Sequence, residues 1–213
     1  MKKLLLFTWF CCLCAIVHAQ PAWELKKDQD GIKVYTATVE GSNIKVVKVA
    51  CIVNTTLSRL TALLLDTKSH EKWVYNTRVS YLVKQVSPNH LIYYSEVAMP
   101  WPLSNRDVTV DLTIWQQPDT KVMHVVANTI AGQVPEKGDK VRVPLSKVTW
   151  TVTPLAHNQL SIEYIGQADI GGSAPAWLVN SFSAKGPFET FKQLREMVNA
   201  PVYANSRYDF IKD

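Results

Sequence analysis

The sequence predicts an α+β fold: a curved antiparallel sheet of about nine strands packed on one long C-terminal helix. Three observations carry this. Nine segments read as strands, and several of them alternate apolar and polar residues with period two. An apolar stripe at helical spacing runs from Pro175 to Val198. The order is three strands, a helix, six strands, then the long helix. One buried face per strand means an antiparallel sheet whose other face is wet.

The elements follow in chain order. Trp23–Lys27 and Ile32–Val39 read as strands around an Asp30-Gly31 turn. Ile44–Val53 follows, with Val47, Val49, Cys51 and Val53 on one face. Asn54 or Thr55 can cap the next helix, whose stripe is Leu57, Leu60, Leu63 and Leu64. It ends before "KSHEKW". Strands then cover about Arg78–Val86, His90–Ala98, Arg106–Gln116, Lys121–Thr129, Leu145–Pro154 and Leu160–Asp169. In the last helical pattern, Trp177, Leu178, Phe182, Phe188, Phe191, Leu194 and Val198 recur, and Gly186-Pro187 should kink or break it. Ala200–Asp213 reads as a loosely packed tail.

The first residues read as a targeting segment. Lys2 and Lys3 precede an apolar run from Leu4 to Val17, shorter than the roughly 20 residues of a spanning helix. Val17-His18-Ala19 offers a cleavage site, so residues 1–19 are expected to be a signal peptide and the protein exported, periplasmic or otherwise secreted. A retained anchor helix is the alternative. The domain is expected over residues 20–199 and the tail over 200–213. Cleavage removes three of the four cysteines and leaves Cys51, so no internal disulfide can form. It also removes Lys2 and Lys3, lowering the formal charge from +5 to +3. Scattered lysines at that charge make no case for nucleic acid.

Chemical motifs are few. His70, His90, His124 and His157 show no metal-ligand spacing. There is no Gly-x-Ser-x-Gly and no Gly-x-Gly-x-x-Gly. No cofactor or metal is expected. A long helix on a curved sheet instead leaves a space that side chains need not fill, a favoured ligand site.

Three stretches carry a family likeness. "PWPLSNRD" (Pro100–Asp107), "ADIGGSAPAWLVN" (Ala168–Asn180) and "WELKKDQDGIKVY" (Trp23–Tyr35) resemble the START family. These are lipid-transfer domains related to the steroidogenic acute regulatory protein. The likeness runs in order through almost the whole mature chain. It implies the helix-grip fold, with a hydrophobic tunnel for one lipid: a fatty acid, sterol-like molecule, isoprenoid or phospholipid. It also implies a monomer with transient membrane contact. One departure is the start, where family members often carry a further helix.

The resemblance implies that "PWPLSN" closes one tunnel end against the last helix. Trp101 and Trp177 would then cover apolar surface, while Val108, Val110, Leu112, Ile162 and Tyr164 line it. The residues alone also fit an ordinary proline-rich connection. Arg106 shares parity with Val108 and should lean inward, either onto loop carbonyls or a carboxylate, or onto a ligand head group. Glu96 lies on a strand otherwise apolar or aromatic. By resemblance it matches an acidic tunnel residue of sterol-binding members, and its other reading is an edge residue in solvent. Phosphatidylcholine-binding and sterol-binding members carry an arginine where this chain has Leu112, which implies a more apolar tunnel. Non-enzymatic lipid carriage or sensing is the leading expectation. The alternatives are a cyclase- or aromatase-type enzyme, with Glu96, His124 or Tyr164 moving protons, and an envelope interaction module with a collapsed cavity.

Overall fold

The computed structural model describes residues 22–42, 44–172, 175, 177, 179–180 and 183–213. The signal-peptide expectation for residues 1–19, and Leu178 and Phe182 of the last helical stripe, lie outside them. The strands are β1 (Glu24–Gln29), β2 (Ile32–Ala37), β3 (Val46–Asn54), β4 (Thr77–Ser87), β5 (His90–Val97), β6 (Arg106–Gln116), β7 (Met123–Thr129), β8 (Val141–Arg142), β9 (Leu145–Leu155) and β10 (Gln159–Asp169). The α-helices are α1 (Leu57–Leu65), α2 (His70–Trp73) and α3 (Lys185–Met197).

Nine strands form one open antiparallel sheet in the order β1-β2-β3-β10-β9-β7-β6-β5-β4. The sheet is not closed, and β1 and β4 are its edges. Pairing β10 with β3 joins the first three strands to the last one. The tenth strand, β8, was not anticipated. It pairs parallel with the start of β6, Arg106 facing Val141 and Asp107 facing Arg142. Two residues are too few to show a period.

The turns obey local chemistry. Asp30 and Gly31 both take positive φ, 54° and 67°, as a two-residue hairpin with the sheet's right-handed twist requires. Lys121, expected in β7, has φ 58° and its N–H bonds Gln117 O, so it closes the β6–β7 turn instead. Thr56, one residue later than expected, caps α1: its hydroxyl accepts from Arg59 N.

The core fills the concave face. Leu57, Leu60, Leu63 and Leu64 of α1 are buried, as are Val47, Val49, Cys51 and Val53 of β3. Burial pushes the Cys51 thiol up to about 11, so it stays protonated. In α3, Phe188, Phe191 and Leu194 are buried, and so is Val198 just past it. Each such side chain contributes about 1.5–3 kcal/mol. Gly186 and Pro187 fall in the first turn of α3, after a turn at Ser183-Ala184. There a missing N–H costs little. Trp177, Val179 and Asn180 are also helical, and the described interruption is the turn at Ser183-Ala184 rather than Gly186-Pro187.

Residues 200–213 overturn the loose-tail expectation. Tyr203 and Ile211 are buried. The Tyr203 hydroxyl donates to Asp66 Oδ2 at 2.8 Å, and Asp213 Oδ1 accepts from Ser58 N at 2.8 Å. The segment closes the core beneath α1. Among the described residues, no helix is long and apolar enough to cross a membrane.

Candidate functional site

Between the concave face and α3 lies a cavity of two chambers. The inner one, about 360 Å³, falls in the usual range of ligand sites. Its walls include Tyr93 and Val97 of β5, Val110 and Leu112 of β6, and Val125 and Ala127 of β7. His70 and Trp73 of α2 close one side, and Pro187, Thr190 and Phe191 of α3 another. The outer chamber, about 240 Å³, lies between Met99 and Leu103 of the loop joining β5 to β6, the end of β10, and Val179 and Asn180. The chambers share Ser146, Val148, Tyr164 and Pro187 as a common wall. The cavity is thus not collapsed.

Strand alternation explains the lining. On β6, Val110 and Leu112 point inward, as their parity predicts. Tyr164 of β10 stands at the junction of the chambers, edge-on to Trp150 and Phe191 at 5.4 and 5.6 Å between ring centroids. Ile162, two residues earlier, is buried in the core rather than exposed to either chamber. Val108 packs against the core and is likewise absent from both walls.

Glu96, Trp101 and Trp177 are placed differently from the tunnel expectation, and Arg106 takes the first of its two readings, the bond to loop carbonyls. Glu96 is 9% exposed but shares parity with Tyr94, on the opposite face from Tyr93 and Val97. There residues 130–143 cover it, with Lys140 Nζ 3.5 Å from its carboxylate. Arg106 is 3% exposed, and its guanidinium binds backbone. It donates to Ser104 O, to Ile170 O at 3.1 Å and to Gly171 O at 3.2 Å. These bonds tie the loop to the end of β10 and leave the lining to Met99 and Leu103. Trp101 is 93% exposed and Trp177 72%, so both indoles face solvent rather than the tunnel. They sit on the two segments that flank the outer chamber. His124 lies on the outer face too, stacked on Trp115 at 5.4 Å. Glu96, His124 and Tyr164 therefore do not converge.

The loop joining β5 to β6 is held by its own motif. Asn105 Oδ1 accepts from Met99 N at 3.2 Å, and Leu103 N donates to Pro100 O at 2.9 Å. Asp107 points opposite to Arg106 and takes a two-point fork from Arg142, both bonds 2.9 Å. Burial works against its charge, but the Arg142 fork and charge prevail and hold the carboxyl below its usual range.

Sequence reasoning missed His70, Trp73 and Tyr93. His70 Nε2 lies 3.1 Å from Leu64 O, and its ring meets Trp73 and Tyr93 edge-on at 5.3 and 5.0 Å. Burial pushes the imidazole down to about 4. Burial also pushes the Tyr93 hydroxyl up, with nearby Tyr164 adding to it, and raises Tyr164 to about 12. The inner chamber is therefore neutral at physiological pH. Among its described lining residues none carries a charge, and Lys45 is the one charged side chain of the outer chamber. No group of acidic, histidine and cysteine side chains among the described residues could hold a metal ion.

This architecture has known counterparts. The sequence profile of the START domain matches residues 15–202. An uncharacterised protein of Pseudomonas aeruginosa is 33% identical over 174 residues, covering 81% of this chain and 85% of its own. The phosphatidylcholine transfer protein of Mus musculus is 28% identical over 185 residues, covering 84% and 83%. The crystal structure of a STAR-related lipid transfer protein from Xanthomonas axonopodis superposes with a TM-score of 0.77 at 30% identity, covering 83% of this chain and 98% of that one. The fold and its cavity define a helix-grip protein. The chain belongs to the START-domain family.

Proposed function

We propose that the protein binds one lipid in the two-chambered cavity and carries or senses it, without catalysing a reaction on it. The observation that carries this reading is the apolar cavity gripped between α3 and the inward rows of β5, β6, β7 and β9. Each buried methylene contributes about 0.8 kcal/mol, so an acyl or isoprenoid chain gains several kcal/mol after its ordering cost. The name of the mouse relative, a phosphatidylcholine transfer protein, supports lipid transfer as the family's type of work. Leu112, lying in the inner wall, favours a lipid with few charges.

Exchange occurs at a membrane surface. Trp101 and Trp177 flank the outer chamber with exposed indoles, the side chain best suited to the headgroup region. The protein works as an exported monomer, and N-terminal sequencing of the native protein should begin near Gln20. Solvent extraction and mass spectrometry of protein from its own host test the reading directly. About one lipid per protein molecule is expected. If nothing extracts and no lipid binds with saturable stoichiometry, the reading fails.

A further inference from the structure

The inner chamber presents a hydrogen-bonding set without charge, and its polarity is specific. Leu64 O can only accept, so the His70 nitrogen 3.1 Å away, Nε2, carries the proton. Nδ1 keeps its lone pair, and it is an acceptor on a neutral ring that lines the cavity. The ring is wedged at 83° against both Trp73 and Tyr93, which fixes its orientation. The Tyr93 ring packs against it, while the Tyr164 hydroxyl lies over Gly166 at the junction with the outer chamber; neither hydroxyl has a hydrogen-bond partner among the described residues, yet neither is sealed off inside packed protein. Both line the same chamber. Each keeps its proton and each can donate or accept.

We infer that the inner chamber selects lipids whose polar end is an uncharged hydroxyl, which donates to His70 Nδ1 and accepts from Tyr93 or Tyr164. This deepens the lipid-binding reading and rests on it. A hydroxyl is suited because one oxygen both donates and accepts. A carboxylate or phosphate only accepts. It would set its lone pairs against that of His70 and give up its hydration with no cation in the chamber. Val110 and Leu112 offer it nothing. Sterol-like molecules, isoprenoid alcohols and long-chain alcohols share the required chemistry.

The test uses the full-length protein freed of lipid. Hexadecanol, its methyl ether, palmitate and phosphatidylcholine are compared at neutral pH by competition against a fluorescent lipid. The ether can still accept from a tyrosine but cannot donate to His70. Hexadecanol should bind about tenfold tighter than the ether, the worth of one good hydrogen bond. Palmitate should bind more weakly than hexadecanol. His70→Leu should bring alcohol and ether to near parity by weakening the alcohol alone. Tyr93→Phe keeps the ring and should weaken both oxygen ligands by a few-fold. If His70→Leu does not fold, the wild-type ratio of alcohol to ether and the Tyr93→Phe result still decide. Equal affinity for alcohol and ether, or preference for phosphatidylcholine, overturns hydroxyl selection and leaves lipid carriage standing. Saturable binding of none of the four overturns both.

Discussion

Tyr164 lies along its own strand over Gly166, so that a Cβ at Gly166 would fall on the Tyr164 hydroxyl and stand 2.7 Å from Cζ. The absent side chain is what lets the ring lie flat at the junction of the two chambers. Gly166→Ala should therefore drive the ring out, at about 1–3 kcal/mol, the usual cost of overpacking. It should also weaken lipid binding. On a Tyr164→Leu background the same change should be neutral or slightly stabilising, since alanine suits a strand better than glycine. Urea denaturation of the four proteins closes the cycle. Equal costs on both backgrounds would show that Tyr164 is not the obstacle.

Arg142 and Asp107 should prove strongly coupled. Besides its fork on Asp107, Arg142 donates to Val134 O and Pro135 O, both at 3.2 Å, and so staples residues 130–143 over Tyr94 and Glu96. Arg142→Ala leaves a buried carboxylate unpaired, at roughly 3–5 kcal/mol. Adding Asp107→Leu should recover much of that loss. The acid limb should change as well. A folded pKa held low contributes stability above the unfolded value of about 3.9 and loses it as pH falls through the folded value. Arg142→Ala should flatten that limb in denaturation curves taken between neutral and acid pH. An unchanged limb would mean that the fork does not govern the Asp107 charge.

The frame of the fold was legible because most strands bury one face only. That alternation puts Val110, Leu112 and Tyr164 in the cavity wall, where they are, and also Val108 and Ile162, which belong to the core instead. Strand β5 defeats the same rule. Residues 130–143 bury its outer face, so Ile92, Tyr94 and Glu96 read as apolar a side as Leu91 and Tyr93. Parity alone does not tell which row faces inward, and of the two readings of Glu96 the tunnel acid fails. His70 and Trp73 sit in a four-residue helix, too short to show a period. Trp101 and Trp177 were found on the right segments but turned the wrong way. Composition does not distinguish an indole that covers a tunnel from one that meets water or lipid.

His70 makes the fold sensitive to mild acid. Its ring faces Leu64 O, Trp73 and Tyr93, with Asp66 the nearby acidic group favouring protonation. Burial outweighs both the carbonyl and Asp66, so the folded pKa of about 4 lies below the unfolded value of about 6.5. Between these values the unfolded chain binds more protons. The stability is fully present above about 6.5 and is lost as pH falls toward about 4. From pH 7 to about pH 5 the loss should reach roughly 2 kcal/mol through this group. His70→Phe should lose less over the same interval by that amount. Parallel curves for the two proteins would remove His70 as the cause.

Trp101 and Trp177 give the membrane reading a clean test, because exposed side chains can be removed with little effect on folding. At 93% exposure, Trp101 makes few contacts that truncation could break, so Trp101→Ala should change stability by about 0.5 kcal/mol or less. An indole at the headgroup level still buries a large apolar area, and its N–H finds a partner there. Each of Trp101→Ala and Trp177→Ala should lower co-sedimentation with neutral phospholipid vesicles about fivefold, and the pair should lower it more. Their intrinsic fluorescence should shift to the blue when vesicles are added. Trp115, exposed on the outer face of the sheet, serves as the control, and Trp115→Ala should leave vesicle binding unchanged. Transfer of a fluorescent lipid between vesicles should slow in the double variant, while the affinity of the isolated protein for that lipid stays the same. If Trp115→Ala costs as much binding as Trp101→Ala, the contact is diffuse, and the flanks of the outer chamber are not the docking surface.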